Sequence, residues 1–346
     1  MTRNNENIPK IKLVFIHLGN KPPAYLWVNL KRCRDLFDDV QVVLISDSLK
    51  ALKKASAMNV STWRYKGNEG LEQIFDSMSS DKGFRKGFWR FSLERLFALT
   101  AFHSEHQGTS VIHVESDILL FDDFPWDKFE DLHNLMWMPF NLERDVASII
   151  YSPSVEQSVW LERQMINFLK EDPKLTDMTL LRKIGELNRE HVEYFPMAES
   201  EDSPLLRIWT DLEYRKRVTS TYLLFNGVMD GATIGMWLTG QDPRNNKGNT
   251  FRYKDVPESA LNTEFLKGQV VSAETGVFIG EIRVLNLHIH SKNRKLLNKQ
   301  HLTELRNCVS KSQSGKTLEY FSYWGFIELA KGYVLRRLNK IRKFLG

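Results

Sequence analysis

The chain has little cysteine and no long hydrophobic run. Its 346 residues include two cysteines, Cys33 and Cys308, so the sequence offers neither a disulfide framework nor a Cys-x-x-Cys pair for zinc. No stretch approaches the roughly 20 apolar residues of a membrane-spanning helix, and the polar N-terminus lacks the apolar core of a signal peptide. We therefore expect a protein of a reducing compartment, either cytoplasmic or bound to the inner face of the cytoplasmic membrane.

The excess of positive charge is small. A net charge of +5 suits an anionic substrate, an acidic membrane surface or nucleic acid without selecting among them. Hydrophobic residues make up 42% of the chain and aromatic residues 12%, which excludes a disordered protein. The length suits one large elaborated domain or two smaller ones.

Strands and helices alternate through the first half of the chain. Residues 11–17 and 40–45 are apolar runs separated by a helical pattern, and residues 88–106 carry apolar side chains at helical spacing. Strands joined by helices form right-handed βαβ units in a parallel sheet. Short apolar runs follow at 135–140 and 147–151. These patterns predict an α/β fold.

An acidic pair, Glu115 and Asp117, interrupts the hydrophobic run of residues 111–123. Desolvating an unpaired carboxylate costs several kcal/mol, so a buried strand rarely carries two of them without a cation. Mg²⁺ and Mn²⁺ prefer oxygen ligands, and Mg²⁺ typically binds one or two carboxylates together with substrate phosphates. The pair predicts a site for a metal and a diphosphate. The alternative is two acids that cap a turn or contact surface lysines and arginines.

Two histidines share one face of a later predicted strand. Within residues 284–290, Asn286, His288 and His290 alternate with apolar side chains. A neutral imidazole suits Mn²⁺, and the nearby ammonium of Lys292 suits the charge that develops on a leaving diphosphate. In this interpretation the histidine pair includes a metal ligand, with His290 ranked slightly ahead of His288. The alternative is two structural histidines.

These motifs resemble those of nucleotide-sugar glycosyltransferases of the GT-A fold, in which an acid-x-acid motif ends a central strand and holds Mn²⁺ or Mg²⁺ against the donor diphosphate. The resemblance runs from about residue 11 to 292. It implies a GT-A-like, Rossmann-type mixed sheet flanked by helices, with a C-terminal helical extension. It also implies that Asp117 is the firmer metal ligand and that Lys292 contacts the diphosphate. Glu115 stands where Asp is commoner, and its implied roles are a sugar or ribose contact, or metal binding through water.

Residues for the nucleotide are expected at the carboxyl ends of the first strands, where open α/β sheets bind ligands. They are His17, Gly19 and Asn20 after the first strand, and Ser46 and Asp47 after the second. Arg95 precedes the acidic pair, where the family often places a basic nucleotide contact. The alternative is that these are ordinary loop residues and that Arg95 lies on a helix surface.

A carboxylate base is required if the enzyme inverts the anomeric centre. Asp230 lies among glycines in residues 225–232, a region where the family places sugar and acceptor contacts. Asp242 follows in a polar loop, and Asp177 is the third candidate. The alternative for residues 225–232 is a glycine-rich turn with Asp230 as a capping residue.

The chain becomes aromatic and then strongly basic from residue 316 onward. We expect a catalytic domain over 1–300, with a nucleotide-binding half at about 1–120 and an acceptor-binding half at about 121–300. Residues 301–346 are expected to form a helical, basic and amphipathic extension.

Residues 331–346 are predicted to bind an anionic membrane surface, since basic side chains flank an apolar helical face. The alternative is a helix packed on the domain. No RNA-binding signature accompanies the segment, so we expect no nucleic-acid partner.

The resulting expectation is a metal-dependent glycosyltransferase of cell-surface polysaccharide synthesis. Its donor would be a UDP- or GDP-sugar, and its acceptor a glycan or a lipid-linked hydroxyl. A sugar nucleotidyltransferase is one alternative, although that class usually carries a Gly-rich loop with Arg or Lys where this chain has residues 18–23. A noncatalytic membrane or nucleic-acid adaptor on a degenerate transferase fold is the other.

Overall fold

A computed structural model of the protein describes residues 11–19, 21–67, 69–77, 87–242, 249–250, 256–267, 269–272, 276–298, 301–313 and 320–321. Asn20 and the basic segment 331–346, both singled out in the sequence, lie outside the described residues. Among the helices described, none combines the length and the hydrophobicity needed to cross a membrane.

The described residues form the following strands and α-helices. The strands are β1 (Ile11–His17), β2 (Gln41–Ser46), β3 (Ser61–Arg64), β4 (Ser110–Val114), β5 (Ile118–Leu120), β6 (Leu135–Pro139), β7 (Asp145–Ser152), β8 (Val192–Tyr194), β9 (Asn249–Thr250), β10 (Val270–Ser272), β11 (Val277–Ile279), β12 (Ile282–Val284), β13 (Asn286–His288) and β14 (Tyr320–Phe321). The helices are α1 (Ala24–Leu36), α2 (Leu49–Ser56), α3 (Glu72–Ser77), α4 (Phe88–Glu105), α5 (Val155–Glu171), α6 (Asp177–Leu187), α7 (Leu212–Thr219), α8 (Tyr222–Phe225), α9 (Thr233–Thr239) and α10 (His301–Gln313).

Seven strands form one mixed sheet in the order β3-β2-β1-β4-β7-β6-β8. Strands β1 to β4 are parallel, and β7 runs antiparallel to both of its neighbours, β4 and β6. The chain moves outward from β1 to β3 and then returns to place β4 on the other side of β1. Open α/β sheets bind ligands at such a reversal, beyond the carboxyl ends of the strands. The predicted mixed sheet flanked by helices is confirmed.

Helices cover both faces of this sheet. Val14 of β1 faces an apolar cluster that includes α4, α5 and α6, whereas Leu13 and Phe15 face a cluster that includes α1 and α2. Side chains alternate between the faces of a strand, so a central strand covered on both sides is apolar throughout. The continuous hydrophobic run at residues 13–16 of β1 has this origin.

The first helix of the predicted extension packs on the rest of the protein. Leu305 and Cys308 of α10 are fully buried in the cluster that contains α4. The hydrophobic core therefore continues past residue 300, and the domain boundary there stays a prediction.

Asp230 is fully buried in the interior, where backbone donors occupy its carboxylate. Its Oδ1 accepts a hydrogen bond from the Ile234 amide at 2.9 Å, and its Oδ2 accepts from the amides of Gly235 at 2.7 Å and His288 at 2.9 Å. These bonds tie the first turn of α9 to β13. These contacts match the capping alternative, and the catalytic role of Asp230 stays a prediction.

The glycines near Asp230 allow another segment of the chain to pack closely against them. A Cβ atom on Gly235 would lie 2.2 Å from the carbonyl oxygen of His288, and one on Gly227 would lie 2.9 Å from Cγ of Leu285. Such distances are too short for any larger residue. At these two positions the close approach is made by β13 and by Leu285, the residue before it.

Replacing Asp230 tests this capping role. We expect Asp230→Asn to lower the free energy of unfolding by about 2–3 kcal/mol, because an amide nitrogen would face buried backbone donors that need an acceptor. Urea unfolding followed by circular dichroism measures the change. Asp202→Asn is the control: this aspartate is exposed, and its replacement should change stability by less than about 0.5 kcal/mol. Equal stability of the two variants would contradict the role.

Candidate active site

Glu115 and Asp117 lie in a tight turn between β4 and β5. The Glu115 amide donates to the carbonyl of Ser148 in β7 at 2.9 Å, and the Ile118 amide donates back to the Glu115 carbonyl at 3.1 Å. The first contact continues the β4–β7 ladder, and the second closes the turn. The interruption in the hydrophobic run is thus the point where the chain leaves the main sheet.

Asn29 of α1 is hydrogen-bonded to this turn, a role that was not predicted from the sequence. The side chain is fully buried, and its Nδ2 donates to the carbonyls of Ile118 at 2.6 Å and Ser116 at 3.3 Å. A single amide among the apolar positions of a predicted helix is a signal that something polar lies opposite. The partner is 89 residues away and has no local signature.

His288 reaches the acids because β13 pairs antiparallel with β5. The register places His288 opposite Ile118, and the Ile289 amide donates to the Asp117 carbonyl at 2.8 Å. The two motifs found separately in the sequence therefore meet through one short ladder at the carboxyl end of β4.

The imidazole of His288 is oriented by a backbone carbonyl. Its Nδ1 lies 2.7 Å from the Gly231 oxygen, which can only accept, so Nδ1 carries a proton. Nε2 then faces two carboxylates, at 3.2 Å from Asp117 Oδ2 and 3.4 Å from Glu115 Oε2. Burial lowers the pKa of His288, but the two acids outweigh it and raise that pKa. Because two carboxylate oxygens lie close to it, Nε2 is expected to carry a proton or to bind a metal ion.

Glu115, Asp117 and His288 fit a hard divalent cation. Their ligand atoms all lie within 4.8 Å of one another. The separations of 3.2 and 3.4 Å from Nε2 to the two oxygens match neighbouring ligands of an octahedral ion, whose edges are about 3 Å for bonds of about 2.1 Å. In the part of the chain that is described, this is the one such group of three His, Cys, Asp or Glu residues.

His290 lies just beyond the end of β13 and stacks on His288, with 3.9 Å between the ring centres. The two imidazoles do share one side of the chain, as the alternation predicts. The distances to the acids nevertheless favour His288 as the ligand, which reverses the ranking drawn from the sequence.

Lys292 brings a positive charge to Asp117. Its ammonium contacts Asp117 Oδ2 and lies 5.7 Å from the centre of the Tyr25 ring. Burial raises the pKa of Asp117, but Lys292 and His288 more than offset it and hold that pKa well below its ordinary value. Burial lowers the pKa of Lys292, whereas Asp117, Tyr25 and Asp242 raise it. Asp242 therefore also belongs to the electrostatic surroundings of the site.

Arg95 bridges two acids. Its guanidinium contacts Glu115 Oε1 through Nη1 and Asp177 Oδ2 through Nη2, the latter at 2.8 Å. Asp177 begins α6, is 4% exposed, and has an Oδ1 atom with no hydrogen-bond partner among the described residues. Burial raises the pKa of Asp177, Arg95 lowers it, and Glu115 raises it, with a net upward shift. In this structure the guanidinium of Arg95 contacts two carboxylates, and its contact with the nucleotide stays a prediction.

Carboxylates outnumber permanent cations by two in this cluster. The carboxylates are Glu115, Asp117, Asp177 and Asp242, and the cations are Arg95 and Lys292. With all four carboxylates ionised and His288 neutral, as a metal ion bound at Nε2 would require, the cluster carries two excess negative charges. One divalent cation would balance them.

The residues predicted for the nucleotide lie together at the carboxyl ends of β1 and β2. His17 pairs with Ser46, whose Oγ donates to the His17 carbonyl at 2.7 Å, and the Gly19 amide donates to Asp47 Oδ2 at 2.9 Å. Gly19 has φ +76°, and a Cβ atom there would lie 2.1 Å from Cζ of Phe91. Glycine is therefore required at this position on two counts.

No protein-family model matches the chain, and no curated protein matches it significantly. Solved structures that it resembles include the glycosyltransferase PaToxG, with 15% identity and a TM-score of 0.36 over 53% of this chain and 70% of that one. The bifunctional glycosyltransferase WbbM has 10% identity and a TM-score of 0.38 over 62% of this chain and 44% of its own. A cytidylyltransferase from Leptospira borgpetersenii has 14% identity and a TM-score of 0.34 over 62% of this chain and 87% of its own. Likenesses this distant carry no argument about activity.

Proposed function

We propose that the protein is a metal-dependent glycosyltransferase, which moves a sugar from a nucleotide-diphosphate donor to a hydroxyl of a glycan or lipid-linked acceptor in cell-surface polysaccharide synthesis. The observation that carries the proposal is the position and charge of the acid–histidine cluster. It lies at the carboxyl end of β4, beside the β1 and β2 ends, and has two carboxylates in excess. A diphosphate placed there needs a cation between itself and the acids.

The donor would lie across the reversal between β1 and β4. His17, Gly19, Ser46 and Asp47 would contact its nucleoside end. Asp117, Glu115 and His288 would hold Mn²⁺ or Mg²⁺, which when bound offsets charge on the diphosphate as the glycosidic bond breaks. Glu115 offers Oε2 alone for this purpose, because Arg95 engages Oε1.

Asp177 is our leading candidate for the base that accepts the proton of the acceptor hydroxyl. Its Oδ2 is held by Arg95, and its Oδ1 has no partner among the described residues. Its raised pKa, caused chiefly by burial and opposed by Arg95, also moves it toward the range of an effective general base. Asp242, close enough to Lys292 to affect its pKa, is the second candidate.

Replacing Asp117 tests the metal centre. We expect Asp117→Asn to weaken Mn²⁺ binding by roughly a hundredfold or more, since changes to groups that merely orient a metal ligand already cost about 10- to 100-fold. Titration calorimetry measures the affinity, and transferase activity should fall with it. Asp131→Asn, at an exposed position, should bind as the wild type does. Wild-type affinity and activity in Asp117→Asn, with the fold intact, would refute the assignment.

A donor panel tests the reaction class. We expect incubation with UDP- or GDP-sugars and Mn²⁺ to release UDP or GDP slowly by hydrolysis, because water can replace an absent acceptor. Removal of the metal with EDTA should stop this release. A nucleotidyltransferase would instead release pyrophosphate from a nucleoside triphosphate and a sugar phosphate. An adaptor would show neither activity and no metal-dependent donor binding.

Deletion of residues 331–346 tests the proposed attachment to the membrane. The segment carries five basic side chains between Arg336 and Lys343. Because each contributes about 1 kcal/mol near anionic lipid, we expect the full chain to sediment with phosphatidylglycerol vesicles and the truncated chain to stay in solution. Vesicles of phosphatidylcholine alone provide the control. Unchanged sedimentation after truncation would exclude the segment as the anchor.

A further inference from the structure

We propose that the Lys292 ammonium is a built-in counter-ion of Asp117, which competes with the divalent cation for that carboxylate and transfers to the donor diphosphate when the donor binds. The inference rests on the proposed function. Its consequence is that metal and donor bind as a coupled pair.

The competition follows from a shared oxygen atom. Lys292 Nζ contacts Asp117 Oδ2, and His288 Nε2 lies 3.2 Å from the same atom. A divalent cation held by this oxygen and this nitrogen would sit directly beside the ammonium. Like charges at such a separation repel strongly, because the Lys292 and Asp117 side chains are only 9% and 6% exposed and water screens them little.

In the metal-free protein Asp117 has two positive partners, Lys292 and a protonated His288, and only the lysine carries a permanent charge. Asp117 is a buried carboxylate, and breaking a buried ion pair leaves an uncompensated charge. Arg95 cannot replace Lys292, because its guanidinium is divided between Glu115 and Asp177. Lys292 therefore stabilises the site when it holds no metal and becomes unfavourable when the metal arrives.

The backbone at Lys292 is held by a hydrogen bond, whereas its side chain has four rotatable bonds. The Lys292 amide donates to the Ile289 carbonyl at 2.9 Å, and φ is +56°, a region that few residues other than glycine and asparagine adopt. A lysine held in this conformation indicates that its side chain is needed there. The diphosphate of a bound donor offers the ammonium a new partner, which would free Asp117 for the metal.

Mn²⁺ binding without any nucleotide isolates the competition. We expect Lys292→Met to bind Mn²⁺ roughly tenfold or more tightly than the wild type, as judged by the free-ion signal in electron paramagnetic resonance, because one neighbouring positive charge is removed. Lys292→Arg keeps the charge and should keep the weaker wild-type affinity. Lys295→Met is the matched control, since Lys295 is exposed and three residues away.

Thermal unfolding supplies a second readout. We expect Lys292→Met to unfold at a lower temperature than the wild type without metal and to recover most of the difference in saturating Mn²⁺. Should the Met variant fail to fold, Lys292→Gln, whose amide can still donate to Asp117, serves for both measurements.

Two outcomes separate this inference from the proposed function. Equal or weaker Mn²⁺ binding by the uncharged Lys292 variants, with normal binding by the wild type, would overturn the competition and leave the metal centre standing. Absence of Mn²⁺ binding in the wild type and these variants, with or without UDP or GDP, would overturn the metal centre and the inference with it.

Discussion

Burial of carboxylates at one edge of the sheet is the constraint on which the rest of the site depends. Asp117 and Asp177 are almost fully buried, and Glu115 lies between them. Each needs a positive partner, because a buried charge without one costs several kcal/mol. Arg95 reaches Glu115 and Asp177, whereas Lys292 reaches Asp117. The two cations come from distant parts of the chain, so the charges of the site also bind distant elements together.

The geometry of the site is set by contacts that lie behind it. Asp230 accepts from the His288 amide, and the Gly231 carbonyl fixes the His288 ring. Gly235 lets α9 approach the His288 carbonyl. Residues outside the acid–histidine cluster thus determine the orientation of His288 Nε2. An error of an ångström in this packing would separate the imidazole from the acids.

Features that depend on neighbouring residues in the sequence could be predicted, whereas contacts between distant segments could not. Strands β1, β2 and β7 were visible as apolar runs, since a buried strand reports its surroundings through its own residues. The acidic turn was equally visible, because two charges inside such a run conflict with burial. The contacts of His288 and Asp230 were not, since alternation and glycine content are the same whether the neighbour is a ligand or another strand.

By itself, the sequence determined the α/β class, the place where the central strand ends, and which residue types could bind a cation. Those properties are local, since they depend on the periodicity of side chains and on the cost of burying charge. Only the tertiary structure decided which groups meet. The pairing of β13 with β5 brings His288 to Asp117, and α4 brings Arg95 between Glu115 and Asp177. Contacts between distant segments depend on the register and packing of whole elements, and no short stretch of sequence encodes them.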